Sequence, residues 1–407
     1  MTLNHKRPDR IPIDFGGTRG TSISAEAYVR LQKILGLSEN RPYMYDLVQQ
    51  LVYPEDEVLE KFHVDVIDGG RAVMQSPERC LVWTLNSGEQ MWVPDYFKYE
   101  TLEDGSTELL DPSGAQVVGV KEASAPYFSQ TFWIYQGLPS IPEEIQTADL
   151  WKNIYGVPIH PWNLNLSDEA DFRRFVSGIK NLHEHTDYAI ALTIHCQIFE
   201  MAQYIRGMEQ FFIDMYLDEQ GARRLLDKLL ESYMPLLEKV CAGVGNYVET
   251  LRFVDDLGSQ QAPLINPEKY RTLIKPYHHE MWQYVHDHSR CKVLLHSCGS
   301  IAEYIPDLIE AGVDALNPVQ TSSAGMDPRK LKKEFGRDIV FWGGGCDTQK
   351  VLPYWTPEQV KQHVREQLEI LGEGGGMIFS QIHNIQADVP ESNIVAMLDA
   401  AHEYGNQ

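Results

Sequence analysis

The sequence predicts an α/β protein built on an eight-stranded parallel (β/α)8 barrel, with an antiparallel β-hairpin region inserted near its N-terminal end. Three observations carry this. Short apolar runs alternate with helical stretches from about residue 185 onward. Two further strand-like runs near the start, IPIDF (11 to 15) and VDVIDGG (64 to 70), bring the number to eight. Between them and the regular part, roughly 76 to 160, the pattern changes to alternating residues around turn signals.

The remaining six strands are AIALTIH (189 to 195), TLRFVDD (250 to 256), KVLLHS (292 to 297), VDALNPV (313 to 319), DIVFWGG (338 to 344) and MIFS (377 to 380). Each is short and apolar, as strands covered on both faces are. The stretches FEMAQYIRGMEQFFIDMY, RRLLDKLLESYMPLLEKV and PEQVKQHVREQLEIL repeat apolar residues at helical spacing, so they supply the returns between parallel strands. In the inserted region, CLVWTL, QMWVPDYFKYETL and AQVVGV flank the turns NSGE and DPSG. That region is rich in aromatic residues, among them Trp83, Trp92, Tyr96, Phe128 and Tyr135, some of which could wall a substrate pocket. The chain reads as one domain over 1 to 407 with an insertion at about 76 to 160.

The chain has 407 residues and a formal charge of -23, which argues against nucleic-acid and anionic-membrane partners. No run approaches the ~18 apolar residues of a membrane span, and the start MTLNHKRPDRIPIDF lacks the apolar core of a secretion signal. A cytoplasmic protein acting on a small molecule is expected. Six cysteines show no disulfide framework, so in a reducing compartment they point to metal binding or catalysis.

In such a barrel the residues just after each strand gather at one rim, where chemistry is done. They include Arg19, His195, Asp255, Asp256, His296, Cys298, Gln320, Cys346 and His383. His296 and Cys298 sit two apart at a strand end, so they share a face and make half of a zinc site. A third ligand must come from elsewhere, and His383 in SQIHNIQADVP and Cys346 in WGGGCDTQ both qualify, with Cys196 behind them. Asp255-Asp256 reads either as a helix cap or as a carboxylate pair suited to acid chemistry or substrate anchoring. Arg19, between glycines in GGTRG, could clamp a carboxylate or phosphate. The GEGGG run at 372 to 376 precedes a strand instead of following one, which excludes a dinucleotide fingerprint.

Taken in order, HKRPDRIPIDF, FEMAQYIRGMEQFFIDM, FVDDLGSQ, LLHSCGSIAEYIPDLIEAGVDALNPVQ, WGGGCDTQ and HNIQADVPESNI resemble the uroporphyrinogen decarboxylase superfamily, and more closely its corrinoid-linked methyltransferase branch. The resemblance covers most of the chain and implies a TIM barrel with its active site at the C-terminal rim. In the methyltransferases that this chain resembles, a His-x-Cys pair and a distant cysteine hold zinc. His296 and Cys298 match the pair. The distant cysteine lies seven residues before the proline of an Asp-x-Pro segment, and counting back from Pro390 lands on His383, a departure from that pattern.

The resemblance implies a zinc-dependent methyltransferase working with a corrinoid protein and either a small methyl donor, such as an aromatic methyl ether undergoing O-demethylation, or a thiol acceptor. Asp255 or Asp256 would protonate or orient the leaving group, and Gln320, Arg19 and His195 would hold the substrate. The alternatives are a decarboxylase-like lyase and a noncatalytic member that binds a ligand or a corrinoid protein. The decarboxylase proper has an arginine-rich N-terminal signature, where this chain has FGGTRGTS. Homodimerisation is left open by the sequence.

Overall fold

The computed structural model describes residues 1–37, 41–156 and 168–406. Its centre is a seven-stranded sheet in which every pairing is parallel. In chain order the strands are β1 (Val66–Asp68), β2 (Ala189–His195), β3 (Thr250–Val254), β4 (Lys292–His296), β5 (Ala315–Asn317), β6 (Val340–Trp342) and β7 (Met377–Ile378), and they neighbour one another in that same order. Successive parallel strands need a crossover, and helices such as Lys275–His288, Ile305–Ala311, Pro328–Phe335 and Pro357–Leu371 supply it. The sheet curls. Ile13 bridges in parallel to Phe379, just past β7, and Asp14 bridges in parallel to Val66 at the start of β1, so the N-terminal segment reaches both edges.

Local chemistry sets the element ends. Thr356 and Gln359 cap each other's backbone at the start of Pro357–Leu371, whose Val360, Val364, Leu368 and Leu371 are buried at helical spacing. FEMAQYIRGMEQFFIDMY is two helices, Phe199–Arg206 and Met208–Leu217, instead of the single one expected. Gly207 at φ 86° stops the first, a backbone conformation that a residue without a Cβ adopts freely.

The antiparallel region departs from its expected limits. Cys80–Thr84 pairs with Gln90–Pro94 across NSGE, and Thr107–Leu110 with Val117–Lys121 across DPSG. QMWVPDYFKYETL, however, is two strands belonging to different sheets, and the first hairpin joins Tyr43–Asp46, Leu51–Tyr53 and Ile23–Ser24, which lie before residue 76. Trp83, Phe97, Phe128 and Tyr135 of this region are buried as ordinary core. No helix of the described residues is long and apolar enough to cross a membrane.

The parallel strands separate two apolar layers. Leu251, Phe253, Val293, Leu295, Leu316 and Phe341 pack in the larger cluster with the helices. On the opposite face, Val66, Ala191, Leu294, Ala315, Val340, Trp342 and Ile378 form a cluster of their own. Two positions nearer the strand ends, that inner face turns polar: Asp68, Thr193, His296 and Asn317 are all buried, as is Arg252 between Thr193 and Leu294 in register. An apolar floor thus supports a buried polar layer. Leu294→Ala should lower stability by about 2 to 5 kcal/mol through the cavity it leaves. Urea unfolding measures this, and an unchanged midpoint would show that the inner cluster carries little of the stability.

Candidate metal centre

His296, Cys298 and His383 each bring a ligand-type atom to within 4.8 Å of the others. The Cys298 Sγ lies 3.5 Å from His296 Nε2, and the two imidazole centroids are 5.4 Å apart. His296 is the last residue of β4, and Cys298 follows at the start of a turn that Gly299 completes at φ 88°. A Cβ on Gly299 would sit 2.3 Å from the Gly258 carbonyl oxygen, so only glycine lets the two loops meet there. His383 follows the short strand Gln381–Ile382 and takes φ 67°, an uncommon conformation for a residue with a Cβ. Pairing of Cys346 with Gln381 and of Asp347 with Ile382 fixes the chain that carries it.

The neighbours choose which nitrogens face the cluster. Asn317 donates from Nδ2 to the Trp342 carbonyl at 2.9 Å, so its Oδ1 faces His296 Nδ1, 2.5 Å away. That arrangement keeps the His296 proton on Nδ1 and leaves the Nε2 lone pair for Cys298 and His383. His383 Nδ1 likewise meets Asn384 Oδ1 at 3.1 Å, while Asn384 Nδ2 donates to Gln49. Gly20 backs the first imidazole so closely that a Cβ would lie 2.9 Å from His296 Cε1.

Burial, with the Arg252 and His383 charges, pushes His296 well below the usual imidazole range, and burial pushes His383 down to about 4. Both rings are neutral donors at neutral pH. Burial, Asp256 and Glu200 push the Cys298 thiol up. A buried thiol among neutral imidazoles is a poor anion by itself, and a cation at the cluster would favour its thiolate. Two nitrogens and one sulfur, converging and sealed on one side, suit zinc.

The other residues expected at the rim divide. Asp255 accepts from the amides of Ile198 (2.8 Å), Phe199 (3.1 Å) and Glu200 (2.7 Å), and from His278 Nε2 at 2.8 Å. Its carboxylate caps the distant helix Phe199–Arg206, not the turn that follows it in the chain. Asp256 instead accepts from the Cys298 amide at 2.7 Å, beside the cluster. Cys346 is buried, its nearest polar contact is the Asp347 carbonyl at 3.9 Å, and it stands outside the three-residue group. Cys196 is buried beside Cys241 and lies outside the group as well. His195 ends β2 at φ 58°, buried and also outside it. Gln320 accepts from the Gly299 amide at 2.8 Å, holding the turn after Cys298. Arg19 is engaged by Asp46 and stacks over Tyr155 at 5.3 Å.

A cavity of about 360 Å³ opens at the strand ends, lined by Cys298, His383, Gln320, Gly258, Thr348 and Gln349 among others. None of the aromatic residues of 76 to 135 lines it, so the expected aromatic wall is not formed by them. Sequence reading passed over Glu200, which burial, Asp256 and Asp255 push well above the carboxylate range, and Arg252. An arginine inside an apolar strand was the visible signal for the second. Glu200 looked like any polar residue of a helix.

The donor cluster thus lies at the ends of curled parallel strands, the rim where α/β barrels hold their sites. A family model described as Uroporphyrinogen decarboxylase (URO-D) matches residues 167–404, more than half of the chain, and the protein belongs to that family. The uroporphyrinogen decarboxylase of Legionella pneumophila (strain Corby) is 27% identical over 217 residues, which cover 53% of this chain and 57% of that protein. That of Pseudoalteromonas atlantica is 26% identical over 195 residues, covering 47% and 51%. The chain thus spans only a little over half the length of the curated relatives it matches. A solved structure described as a methyltransferase from Methanosarcina mazei is similar over 99% of this chain and 96% of that one, with a TM-score of 0.57 and 14% identity, a likeness of fold.

Asp255→Ala would leave three helix-end amides and His278 without their acceptor. It should cost on the order of 3 kcal/mol, read as a lower melting temperature. An unchanged melting temperature would show that this cap carries little of the stability.

Proposed function

We propose that the protein is a zinc-dependent methyltransferase that moves a methyl group between a small molecule and a corrinoid carried by a partner protein. The observation that carries the reading is the convergence of His296, Cys298 and His383, the last two of which line one cavity. The likeness of fold to a methyltransferase supports it. In this reading the whole chain acts as one (β/α)8 barrel domain with its antiparallel insertion, in a reducing cytoplasm that keeps Cys298 free.

His296, Cys298 and His383 would hold the zinc and leave a position for substrate. When bound, zinc supplies Lewis acidity to a leaving oxygen or lowers the pKa of a thiol. A ligand set with one sulfur is less electron-rich than one with two, which favours the first role and hence a methyl donor, such as an aromatic methyl ether. Asn317 and Asn384 keep the imidazole protons turned away from the ligand side. Glu200 and Asp256 sit beside Cys298, and Glu200, pushed well above the usual carboxylate range by burial and its carboxylate neighbours, is suited to give a proton to the departing oxygen. Gln320 orients the turn that carries Cys298.

A second reading, decarboxylation, is favoured by the names of the curated relatives. Elemental analysis of protein purified without chelators separates the two. About one zinc per chain is expected, lost in Cys298→Ser and His383→Ala and kept in Cys346→Ala. With reduced cobalamin and a panel of methoxy compounds, the visible spectrum should change only in the zinc-containing chains. A folded, metal-free protein that releases carbon dioxide from uroporphyrinogen would replace this reading with the second.

A further inference from the structure

Arg252 stands in the middle of β3, and 2% of its surface is exposed. Its chain neighbours Leu251 and Phe253 pack among the helices, so alternation turns Arg252 to the inner face, between Thr193 and Leu294 in register. The other fully buried arginine, Arg206, is answered by Asp214 at 2.6 Å and by the carbonyls of Tyr135 and Leu138. Arg19 is answered by Asp46. Arg252 has no such contact: among the described residues its Nε and Nη1 have no hydrogen-bond partner, and the buried carboxylates whose charge it feels, Asp68 and Asp256, form no ion pair with it. The Thr193 hydroxyl beside it is also buried without a partner.

A buried guanidinium without a counter-ion in contact is costly, and folds keep such groups where an anion can reach them. Burial and the Arg19 charge hold Arg252 down to about 10, which still leaves it charged at neutral pH. Its register partner Leu294 stands two positions before His296 on the same inner face of β4, which puts the charge next to the donor cluster. We infer that Arg252, with Thr193, is the anchor for the carboxylate of a small substrate whose other end reaches His296, Cys298 and His383. A planar fork of donors matches a carboxylate, and one unanswered cation suits one negative charge. Combined with the methyl-transfer reading, on which this last step rests, the substrate class is a small methylated carboxylic acid.

Calorimetric titration of the full chain with benzoate, acetate, benzamide and inorganic phosphate tests this, with zinc and after chelator treatment. Benzoate should bind at least tenfold more tightly than benzamide. Arg252→Gln should remove that preference while leaving benzamide binding within about threefold, and Arg252→Lys should keep part of it. Without ligand, Arg252→Gln should melt no lower than the parent, because a buried unpaired charge has been removed. The preference should persist in His296→Ala, and a parent chain that holds no zinc and moves no methyl group yet keeps its benzoate selectivity would sink the proposed function and spare the anchor. Equal binding of benzoate and benzamide, selectivity for phosphate, no carboxylate binding at millimolar concentration, or full selectivity in Arg252→Gln would each overturn it. If the glutamine chain does not fold, the comparison of benzoate with benzamide in the parent decides alone.

Discussion

The hydrogen bond between His296 Nδ1 and Asn317 Oδ1 is the contact on which the site depends. It joins adjacent parallel strands at paired positions, His296 opposite Asn317. The Asn317 amide is in turn oriented by the Trp342 carbonyl of the next strand, and the Trp342 indole donates to Asp14 at 2.7 Å. Asp14 accepts from Gly17 and from Thr21, on either side of the glycine that packs against His296. One chain of polar groups therefore runs across three strands and into the N-terminal segment that reaches both edges of the sheet. Curling the sheet and setting the imidazole are the same structural event, and the apolar floor beneath excludes water from it.

Much of this was legible in the sequence where one physical rule dominates. The apolar run ending in LLHSC places two ligand-type side chains on one strand face because alternation admits no other arrangement. The helix after Thr356 announces itself by its cap and its four-residue apolar spacing. His383 and Cys346 were equally eligible from sequence, since both follow strands. Their difference is geometric: pairing of Cys346 with Gln381 turns its thiol into the packing and lets the His383 ring come forward. Nothing local to either residue encodes that.

What stayed hidden depends on contacts between distant segments. Asp255 and Asp256 are adjacent and chemically identical, yet one turns to a helix end and the other to Cys298, a division made by the helix Phe199–Arg206 docking beside β3. Glu200 acquires its character from that docking alone. The strands Tyr43–Asp46 and Leu51–Tyr53 pair with each other, but each is too short to show alternation, and their outer partners, Gln90–Pro94 and Ile23–Ser24, lie elsewhere in the chain. Arg252 was overlooked for the opposite reason: an apolar context reads as core, and the cost of a charge there becomes informative only once its lack of a partner is seen.

These elements describe a rim where Cys298 and His383 line one cavity, His296 lies behind them, and buried acids and Arg252 stand close by. The central claim is that the donor set is His, Cys, His. X-ray absorption at the zinc edge of protein purified without chelators tests it most directly. The account predicts a single sulfur at about 2.3 Å and two imidazole nitrogens at about 2.0 to 2.1 Å. Two sulfurs, or oxygen and nitrogen alone, would contradict it.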